Sequence, residues 1–519
     1  MGRRLCMWML LLAMATALAT AAPHAQDVPD RARILETMKR ATTFMVEKVA
    51  HKGGYVWAYL PDLSRRWGEM EATPTMIWIQ PPGTPSMGHL FLDAYHATGD
   101  EYYYRAAEGV AAALSAVQHP SGGWNYIADF AGEPALRKWY DTIGKNGWRL
   151  EEFQRYEGNA TFDDAGTAES AKFFLRLFTE KKDPKHKAPL DKAIGFVLAS
   201  QHPIGLWPQR FPRVPPPPGR PDYAAYGTFN DDVAAENIDF LVLCYQALAD
   251  PRLPDAIVRG MNAFITTQLG PPQPGWGLQH TLDLKPAGAR TYEPKALVTH
   301  ITANNVALLV RFYRLTGETK FLARVPAAID WLEQLTLPPR VAPAGRTHPT
   351  FVEIGTNEPL YVHREGSNVV NGRYFVNKDP KGTIAHYSAF RAIDVPGLRK
   401  LYETAKSTPP EEVVRTSPLR LGPGTVPLPK YHTLAGGAGD AARVVASLNH
   451  EGYWLAPLGN NSHPYQRDGS LAPQPGDYSQ TYVGDETDTS PFPDRSLMGI
   501  SIEAYIRNMG ALIRALDSR

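Results

Sequence analysis

Two short acid-rich stretches of the sequence have nearly the same residue order, TFDDAGTAES and, further along, TFNDDVAAEN. Asp163 of the first matches Asn230 of the second, Asp164 matches Asp231, and a helical run follows each. One such residue is enough to cap a helix N-terminus, where an acid gains about 0.3–1 kcal/mol from the helix dipole. A doubled set of carboxylate and amide oxygens also suits a hard cation such as Ca²⁺. Both interpretations stay open on these residues alone.

Arginines and other polar residues form two further groups downstream of the acids. The stretch GWGLQHTLDLKPAGARTYEP contains Arg290, Tyr292 and Glu293, and FVEIGTNEPLYVHREGS contains His363 and Arg364. A loop arginine commonly pairs with a nearby acid, and that alternative holds for each arginine taken alone. The histidines lack the regular spacing of metal ligands, so the sequence does not predict zinc.

These residues must be positioned by a repeated unit of the chain. Each copy of this unit contains a helix that ends in glutamine, glycine and tryptophan. The copies are VAAALSAVQHPSGGW, AIGFVLASQHPIGLW and MNAFITTQLGPPQPGW, with two more distant versions; they end at Trp124, Trp207, Trp276, Trp57 and Trp454. Tryptophan at such a junction is expected to pack inside a helical hairpin, where it buries a large area.

A second amphipathic helix accompanies each unit, with apolar residues at i, i+3, i+4 and i+7. We predict these helices at 88–103, 168–184, 235–251 and 304–321, and a final helix at 498–516 that completes a circle. Hairpins related by one repeated rotation form an open solenoid or a closed ring. The sequence therefore predicts an all-α fold, an α/α toroid with inner and outer helix layers and long irregular loops. The N-termini of the inner helices, and the site with them, are expected at one mouth.

Composition and the N-terminus restrict the function classes. The net charge of the 519-residue chain is +1 and no basic stripe is present, which argues against nucleic acid as a partner. Residues 1–26 carry two arginines, an apolar run and small residues, the pattern of a secretory signal peptide. We expect a periplasmic or secreted protein without a membrane span, and a monomer. Residues 27–519 are then a single toroid domain, in which 370–519 is a loop-rich extension closing the ring.

At these motifs the chain resembles the pectate lyases of polysaccharide lyase family ten. The matching pieces are TFDDAGT, GLWPQRFP followed by TFNDD, GLQHTLDLKPAGARTYEP and EIGTNEPLYVHREG, which span about 160–366 in the family's order. The resemblance implies an α/α toroid that cleaves an acidic polysaccharide, a polyuronate such as polygalacturonate, by Ca²⁺-assisted β-elimination.

The resemblance also assigns roles. It places Asp163, Asp164 and Asp231 at the calcium, Arg290 on the substrate carboxylate, and Arg364 at the proton that is removed. Tyr292, Asn230 and Trp148 are expected to contact substrate. The chain departs from the family pattern at Thr350, where the family has an arginine, and Arg346 is the substitute that the sequence offers. The family's RDG is REG here.

An arginine is an unusual base, because its pKa is about 12 or more and its neutral form costs roughly 3 kcal/mol at pH 10. We therefore expect an alkaline optimum, or Tyr292 or His363 as the base with Arg364 as an electrostatic partner. Two rival functions stay open on the sequence. One is a glycoside hydrolase that uses Asp163 and Asp231 as acid and base, and the other is a catalytically inactive toroid that binds glycans.

Overall fold

The computed structural model describes residues 30–144, 151–216, 218, 222–365, 373–384, 387–432, 441–458 and 497–517, without the side chains of 364 and 365. Helices dominate this part of the chain. They are α1 Arg31–Phe44, α2 Thr84–Thr98, α3 Glu101–Ala116, α4 Glu133–Thr142, α5 Gly166–Lys181, α6 Pro184–Ser200, α7 Val233–Leu248, α8 Leu253–Thr267, α9 Thr299–Thr316, α10 Val325–Gln334, α11 Val395–Ser407, α12 Pro410–Val413, α13 Pro418–Leu421, α14 Ala441–Ser447 and α15 Ile502–Asp517.

The strands of the described residues are short and all pair antiparallel. They are β1 Ala58–Tyr59, β2 Arg66–Trp67, β3 Glu71–Ala72, β4 Met76–Trp78, β5 Ile127–Asp129, β6 Ala160–Thr161, β7 Arg210–Phe211, β8 Gly227–Thr228, β9 Gln279–His280, β10 Pro286–Ala287, β11 Leu297–Val298, β12 His348–Pro349, β13 Phe351–Val352, β14 Pro359–Glu365, β15 Arg373–Asn377, β16 Phe390–Arg391, β17 Leu455–Pro457 and β18 Met498–Ser501. The hairpin β14–β15 has the longest of these pairings.

The helices form two layers of consecutive hairpins. Each of α2, α5, α7 and α9 packs against the next helix in sequence, and α15, α2, α5 and α7 also contact one another in that order. Helices α2, α5, α7 and α9 form the inner layer, and α3, α6, α8 and α10 form the outer layer. The α/α toroid predicted from the periodicity is confirmed.

The predicted helices are found with shifted ends. The segment 88–103 is two helices, because Gly99 takes a left-handed conformation with φ 71° at the end of α2 and Asp100 caps α3. Gly317, φ 74°, ends α9 in the same way. The TGD and TGE sequences are therefore helix stops, as predicted.

Each tryptophan turn is held by two hydrogen bonds that recur from unit to unit. The indole Nε1 of Trp207 donates to the carbonyl of Val197 at 2.8 Å, and Trp124 and Trp276 repeat this bond. The amide of Gln201 donates to Gly205 O and to Ala256 O of the next outer helix, both at 2.9 Å. Gln118 makes the equivalent pair of bonds. The recurring glutamine thus ties each turn to the next hairpin.

The two ends of the described chain pack against each other. Helix α15 packs against α1, α2 and α14, as expected for a final helix that completes the circle. One cluster of buried apolar side chains runs from Ile34 to Leu516. Cys244 is buried and free. The segment read as a signal peptide lies outside the described residues, and among those described no helix has the length and apolarity needed to cross a membrane.

We predict that Gly205→Ala lowers the free energy of unfolding by roughly 1–3 kcal/mol, because the residue has a left-handed φ that L side chains rarely adopt. Gly205 has φ 95°, and a Cβ there would lie 2.2 Å from the carbonyl oxygen of Arg259. Urea denaturation followed by circular dichroism measures the change.

The matched control is Gly195→Ala in the interior of α6, where a Cβ meets nothing within 4 Å. Its stability should stay the same or rise by up to about 1 kcal/mol, since alanine is the better helix former. Equal effects of the two substitutions would contradict this account of the turn.

Candidate functional site

The two acid-rich stretches form turns of nearly identical backbone geometry. Each is a single 3-10 turn ahead of an inner helix, Asp163–Ala165 before α5 and Asn230–Asp232 before α7. The central residues are left-handed in both, with φ 50°, ψ 31° at Asp164 and φ 50°, ψ 32° at Asp231. Non-glycine residues rarely hold this conformation unless the surrounding structure imposes it. The two similar sequences therefore fold into two similar turns.

Short strand pairs place both turns at the same point of their hairpins. Phe162 N donates to Gln209 O, and Phe229 N donates to Leu278 O, each at 2.9 Å. These bonds extend the pairs β6–β7 and β8–β9. The residues at the starts of α5 and α7 make no side-chain capping hydrogen bond. Capping, one of the two interpretations of the acids, therefore does not account for them.

Arg290 lies at the centre of the site and is only 5% exposed. Its Nη2 contacts the Asp163 carboxylate, and its Nη1 donates to Glu293 Oε1 at 2.9 Å. Its Nε lies 3.2 Å from Glu152 Oε2. The backbone N–H of Arg290 also donates to Glu293 Oε2, at 2.9 Å. One guanidinium, from a loop 127 positions after Asp163, thus holds carboxylates from three parts of the chain.

The Asp163 and Asp231 carboxyl groups lie close enough to share a hydrogen bond, so the two acid turns meet side chain to side chain. Burial alone would raise the pKa of Asp163, but the Arg290 charge and the bond from Asp231 outweigh it and lower that pKa to about 2. Burial and the Asp163 charge raise the pKa of Asp231 well above its ordinary range. The two shifts are opposite, so Asp163 is the acid of this pair that keeps its charge to lower pH.

Other acids share the same small volume. Burial, followed by the charges of Asp163 and Glu69, raises the pKa of Asp164 well above its ordinary range. Burial raises the pKa of Glu152 to about 7, against the opposing charge of Arg290. The Asp163 Oδ1 atom is buried and accepts no hydrogen bond. Negative charge thus exceeds what Arg290 can neutralise, and one carboxylate oxygen faces the site without a donor.

Neutral side chains orient these acids. The Tyr126 hydroxyl donates to Asp163, and Gln80 Nε2 donates to Asp164 Oδ2 at 2.8 Å and to Glu69 Oε2 at 3.0 Å. The Tyr387 hydroxyl donates to Glu293 Oε1 at 2.6 Å. None of these partners was identified from the sequence. Tyr126 directly precedes β5 and Gln80 follows β4, and no sequence motif marks either position.

The structure corrects two of the predicted substrate contacts. Asn230 is 2% exposed, and its amide donates to Asp231 and Tyr387 at 2.7 and 2.8 Å, so it positions an acid and has no free face for substrate. Tyr292 is 1% exposed and packs beneath Tyr374, with ring centres 5.4 Å apart. Burial raises its pKa well above the ordinary value, which is the reverse of what a base needs.

His363 is also wrong as a base. Both of its ring nitrogens lie within hydrogen-bonding distance of backbone carbonyls, those of Gly382 at 3.1 Å and Asp379 at 3.0 Å. Its neighbour Arg364 is described in backbone only: it pairs with Tyr374 across β14–β15. Since Tyr374 packs on Tyr292, the strand that carries Arg364 passes next to the Arg290 loop.

The remaining predicted residues lie at the edge of the site or outside the described part. Trp148 is outside the described residues. Thr350 is fully buried and donates to the carbonyl of Ser388 at 2.6 Å, so it makes no outward contact. Arg346 is exposed. Trp139 is 1% exposed within an aromatic cluster with Trp78, so it has no open face on which a sugar could stack.

Two clusters of potential metal ligands with histidine are found in the described residues, and neither includes the acid turns. One of them, His89, Glu169 and His432, joins side chains far apart in sequence, which spacing rules cannot detect. Arg176 Nη1 lies 3.1 Å from His89 Nδ1 and the other His89 nitrogen lies 3.1 Å from Glu169 O. Both ring nitrogens are thus engaged, and this cluster is a hydrogen-bonded network.

Comparison with known proteins agrees with the motifs. Residues 137–379 match the family model described as pectic acid lyase. No curated protein matches the chain.

Several solved structures are similar in fold. A family 10 polysaccharide lyase from Cellvibrio cellulosa, an aspartate-to-alanine mutant in complex with trigalacturonic acid, is 16% identical, with 62% of this chain and 98% of that chain covered and a TM-score of 0.39. A second structure of a family 10 polysaccharide lyase from Cellvibrio cellulosa is 18% identical, with 55% and 87% covered and a TM-score of 0.36. A family 76 glycoside hydrolase (mannosidase) from Bacteroides thetaiotaomicron is 9% identical, with 94% and 99% covered and a TM-score of 0.39.

Residues 137–379, a little under half of the chain, are thus similar to the pectic acid lyase family, and this similarity supports a polysaccharide lyase.

Proposed function

We propose that this protein cleaves a polygalacturonate-like polyuronate by calcium-assisted β-elimination, outside the cytosol. The observation that carries the proposal is the meeting of Asp163, Asp231 and Arg290 at one buried point, together with the family match of the segment that contains them. Acid from two hairpins and a guanidinium from a later loop supply the two kinds of charge that this reaction needs.

The donor set fits a hard cation. Asp163, Asp164 and Asp231 offer carboxylate oxygens, and the buried Asp163 Oδ1 has no hydrogen-bond donor. The Arg290 guanidinium neutralises only part of the negative charge of these acids, and a bound cation would neutralise more of it. Bound between these acids, Ca²⁺ would supply positive charge to the substrate carboxylate, whose negative charge grows as the C5 proton leaves.

The side chains of the protein divide the remaining work. Arg290, held by Glu293 and freed from Asp163, faces the substrate carboxylate and stabilises its developing charge from a preorganised position. Arg364, in its neutral form, accepts the C5 proton and becomes a guanidinium, which is why we expect an alkaline optimum. The electron pair of the broken C–H bond forms the C4–C5 double bond, and the bond from C4 to the leaving oxygen breaks. Water is not consumed.

One contact argues against the hydrolase alternative. Glycosidases place their two carboxyl groups about 5 Å or more apart, on either side of the scissile bond. Here the Asp163 and Asp231 carboxyl groups lie close enough to share a hydrogen bond. A sugar linkage cannot lie between them in this arrangement.

The function is tested by incubating the purified mature protein with polygalacturonate, glucuronan and alginate, with Ca²⁺ or with a chelator. We expect ultraviolet absorbance from an unsaturated uronate with polygalacturonate and Ca²⁺, and loss of turnover with chelator. A reducing-sugar product without that absorbance would establish a hydrolase, and binding without any product would establish a glycan-binding protein. Either result would contradict the proposal.

Asp231→Asn should stabilise the metal-free protein while removing its response to calcium. The pKa of Asp231 is raised in the folded protein, so the unfolded chain loses this proton at a lower pH than the folded chain does. The Asp231 carboxyl group therefore lowers the free energy of unfolding increasingly as pH rises above about 4. Asparagine donates the same hydrogen bond without charge. At pH 8 we expect the metal-free free energy of unfolding to rise by roughly 1–2 kcal/mol.

Thermal melts with and without Ca²⁺ measure both effects, because a ligand that binds the folded state raises the melting temperature. The control is Asp141→Asn on exposed α4, which should leave stability and the calcium response unchanged. Lower metal-free stability of Asp231→Asn with a full calcium response would show that Asp231 is not a ligand.

The proton acceptor is tested by exchanging guanidinium for ammonium. Arg364→Ala should lower kcat by about 10²-fold or more. Arg364→Lys should retain part of the activity, with its rise in rate moved to lower pH, since lysine has a pKa of about 10.4 and arginine about 12 or more. Rates measured from pH 7 to alkaline pH show this displacement.

The comparison variant is Arg290→Lys, for which we expect a lower rate at every pH without such a displacement. If Arg290→Lys moves the profile and Arg364→Lys does not, the two roles are exchanged and this assignment is wrong.

A further inference from the structure

Two arginines lie side by side at the edge of the candidate site, Arg346 in the loop before β12 and Arg391 at the end of β16. Strands β12 and β16 pair with His348 opposite Arg391, and Thr347 N donates to Arg391 O at 2.8 Å. The residue after Arg346 is thus hydrogen-bonded to Arg391. The paired strand β16 therefore holds Arg391, and Arg346 lies in the turn just before β12, where its N–H donates to Pro343 O at 3.0 Å.

Their charges are not neutralised within the described part of the chain. Neither guanidinium forms an ion pair with a carboxylate there, and Arg391 Nε is buried without a hydrogen-bond partner. Burial, and then the nearby Arg346 charge, lowers the pKa of Arg391. Arg346 is exposed and Arg391 half-buried, and like charges held near each other repel. A buried N–H without an acceptor costs free energy of its own. An anion between them would relieve both costs.

Arg391 is linked to the acid site through one aromatic ring. Its Cζ lies 5.9 Å from the centre of the Tyr387 ring. The hydroxyl of that tyrosine donates to Glu293, the partner of Arg290, and accepts from Asn230. The Tyr387 side chain therefore lies between Arg391 and the acids around Arg290, and a ligand held by Arg391 would lie on the other side of this tyrosine from a ligand held by Arg290.

A histidine borders the same space without adding charge to it. His300 lies in the first turn of α9, its ring stacks on Tyr387, and its Nδ1 is buried without a hydrogen-bond partner. Burial, with the Arg391 charge, lowers the pKa of His300 to about 3. His300 is therefore neutral at pH values well above 3, and the positive charge of this region is that of the two arginines.

We propose that Arg346 and Arg391 form a subsite for the carboxylate of a neighbouring uronate in the same chain, beside the sugar that is cleaved. Guanidinium groups match a carboxylate in charge and in planar donor geometry. Arg391 lies outside the family-matched segment, so this subsite is a feature of this chain's own downstream region. The identity of the ligand rests on the proposed function, whereas the need for an anion rests on the unneutralised pair.

The test is calorimetric titration with tetragalacturonate, on the wild type and on the variants Arg346→Ala, Arg391→Ala and Arg391→Lys. We expect each alanine variant to bind about 5- to 10-fold more weakly, and the lysine variant to recover part of the loss. A fully methyl-esterified oligomer should bind all forms alike, because it has no carboxylates. In turnover of polygalacturonate, KM should rise while kcat of Arg346→Ala changes by less than about threefold.

The matched control is Arg340→Ala, an exposed arginine of the same loop, which should keep wild-type affinity. Unchanged affinity of Arg346→Ala would overturn the subsite. So would equal losses in Arg391→Ala and Arg391→Lys, which mark a purely structural arginine. If the wild type forms no unsaturated product but still binds through these arginines, the proposed function fails and the subsite stands.

Discussion

The site depends on one constraint: more carboxylates meet around Arg290 than a single guanidinium can neutralise. Asp163, Glu152 and Glu293 contact it directly, and Asp231 reaches it through Asp163. In a low-dielectric interior such crowding is paid for by protonation or by a bound cation. The raised pKa values of Asp164, Asp231 and Glu152 are the response of the metal-free protein. The same excess of charge makes the place suited to calcium.

The repeat architecture creates the crowding. Each hairpin begins its inner helix at the end of a short strand pair, so the same turn recurs at the same height in successive units. Left-handed residues at Asp164 and Asp231 then direct two acid turns toward each other. The glutamine and tryptophan bonds that join one hairpin to the next keep this spacing rigid. Stability of the ring and geometry of the site therefore come from the same junctions.

Much of this could be predicted from the sequence, and the limits have physical reasons. Helix periodicity and the recurring tryptophan turn indicate the toroid, since both reflect local packing. The doubled acid motif locates the centre of the site, and the family motifs name Arg290. Tyr126, Gln80, Glu152 and Tyr387 could not be found, because their roles arise from contacts between units that no spacing encodes. The motifs predict Tyr292 and Asn230 as substrate contacts, and this prediction is wrong because a motif gives residue type but not burial.

The most direct measurement of the central claim is the number of protons released when Ca²⁺ binds, obtained by calorimetry at pH 7 in buffers of different ionisation enthalpy. The account predicts net proton release in the wild type, because calcium displaces protons held by the crowded acids, and a reduced release in Asp231→Asn. Calcium binding without proton release, or release unaffected by Asp231→Asn, would contradict it.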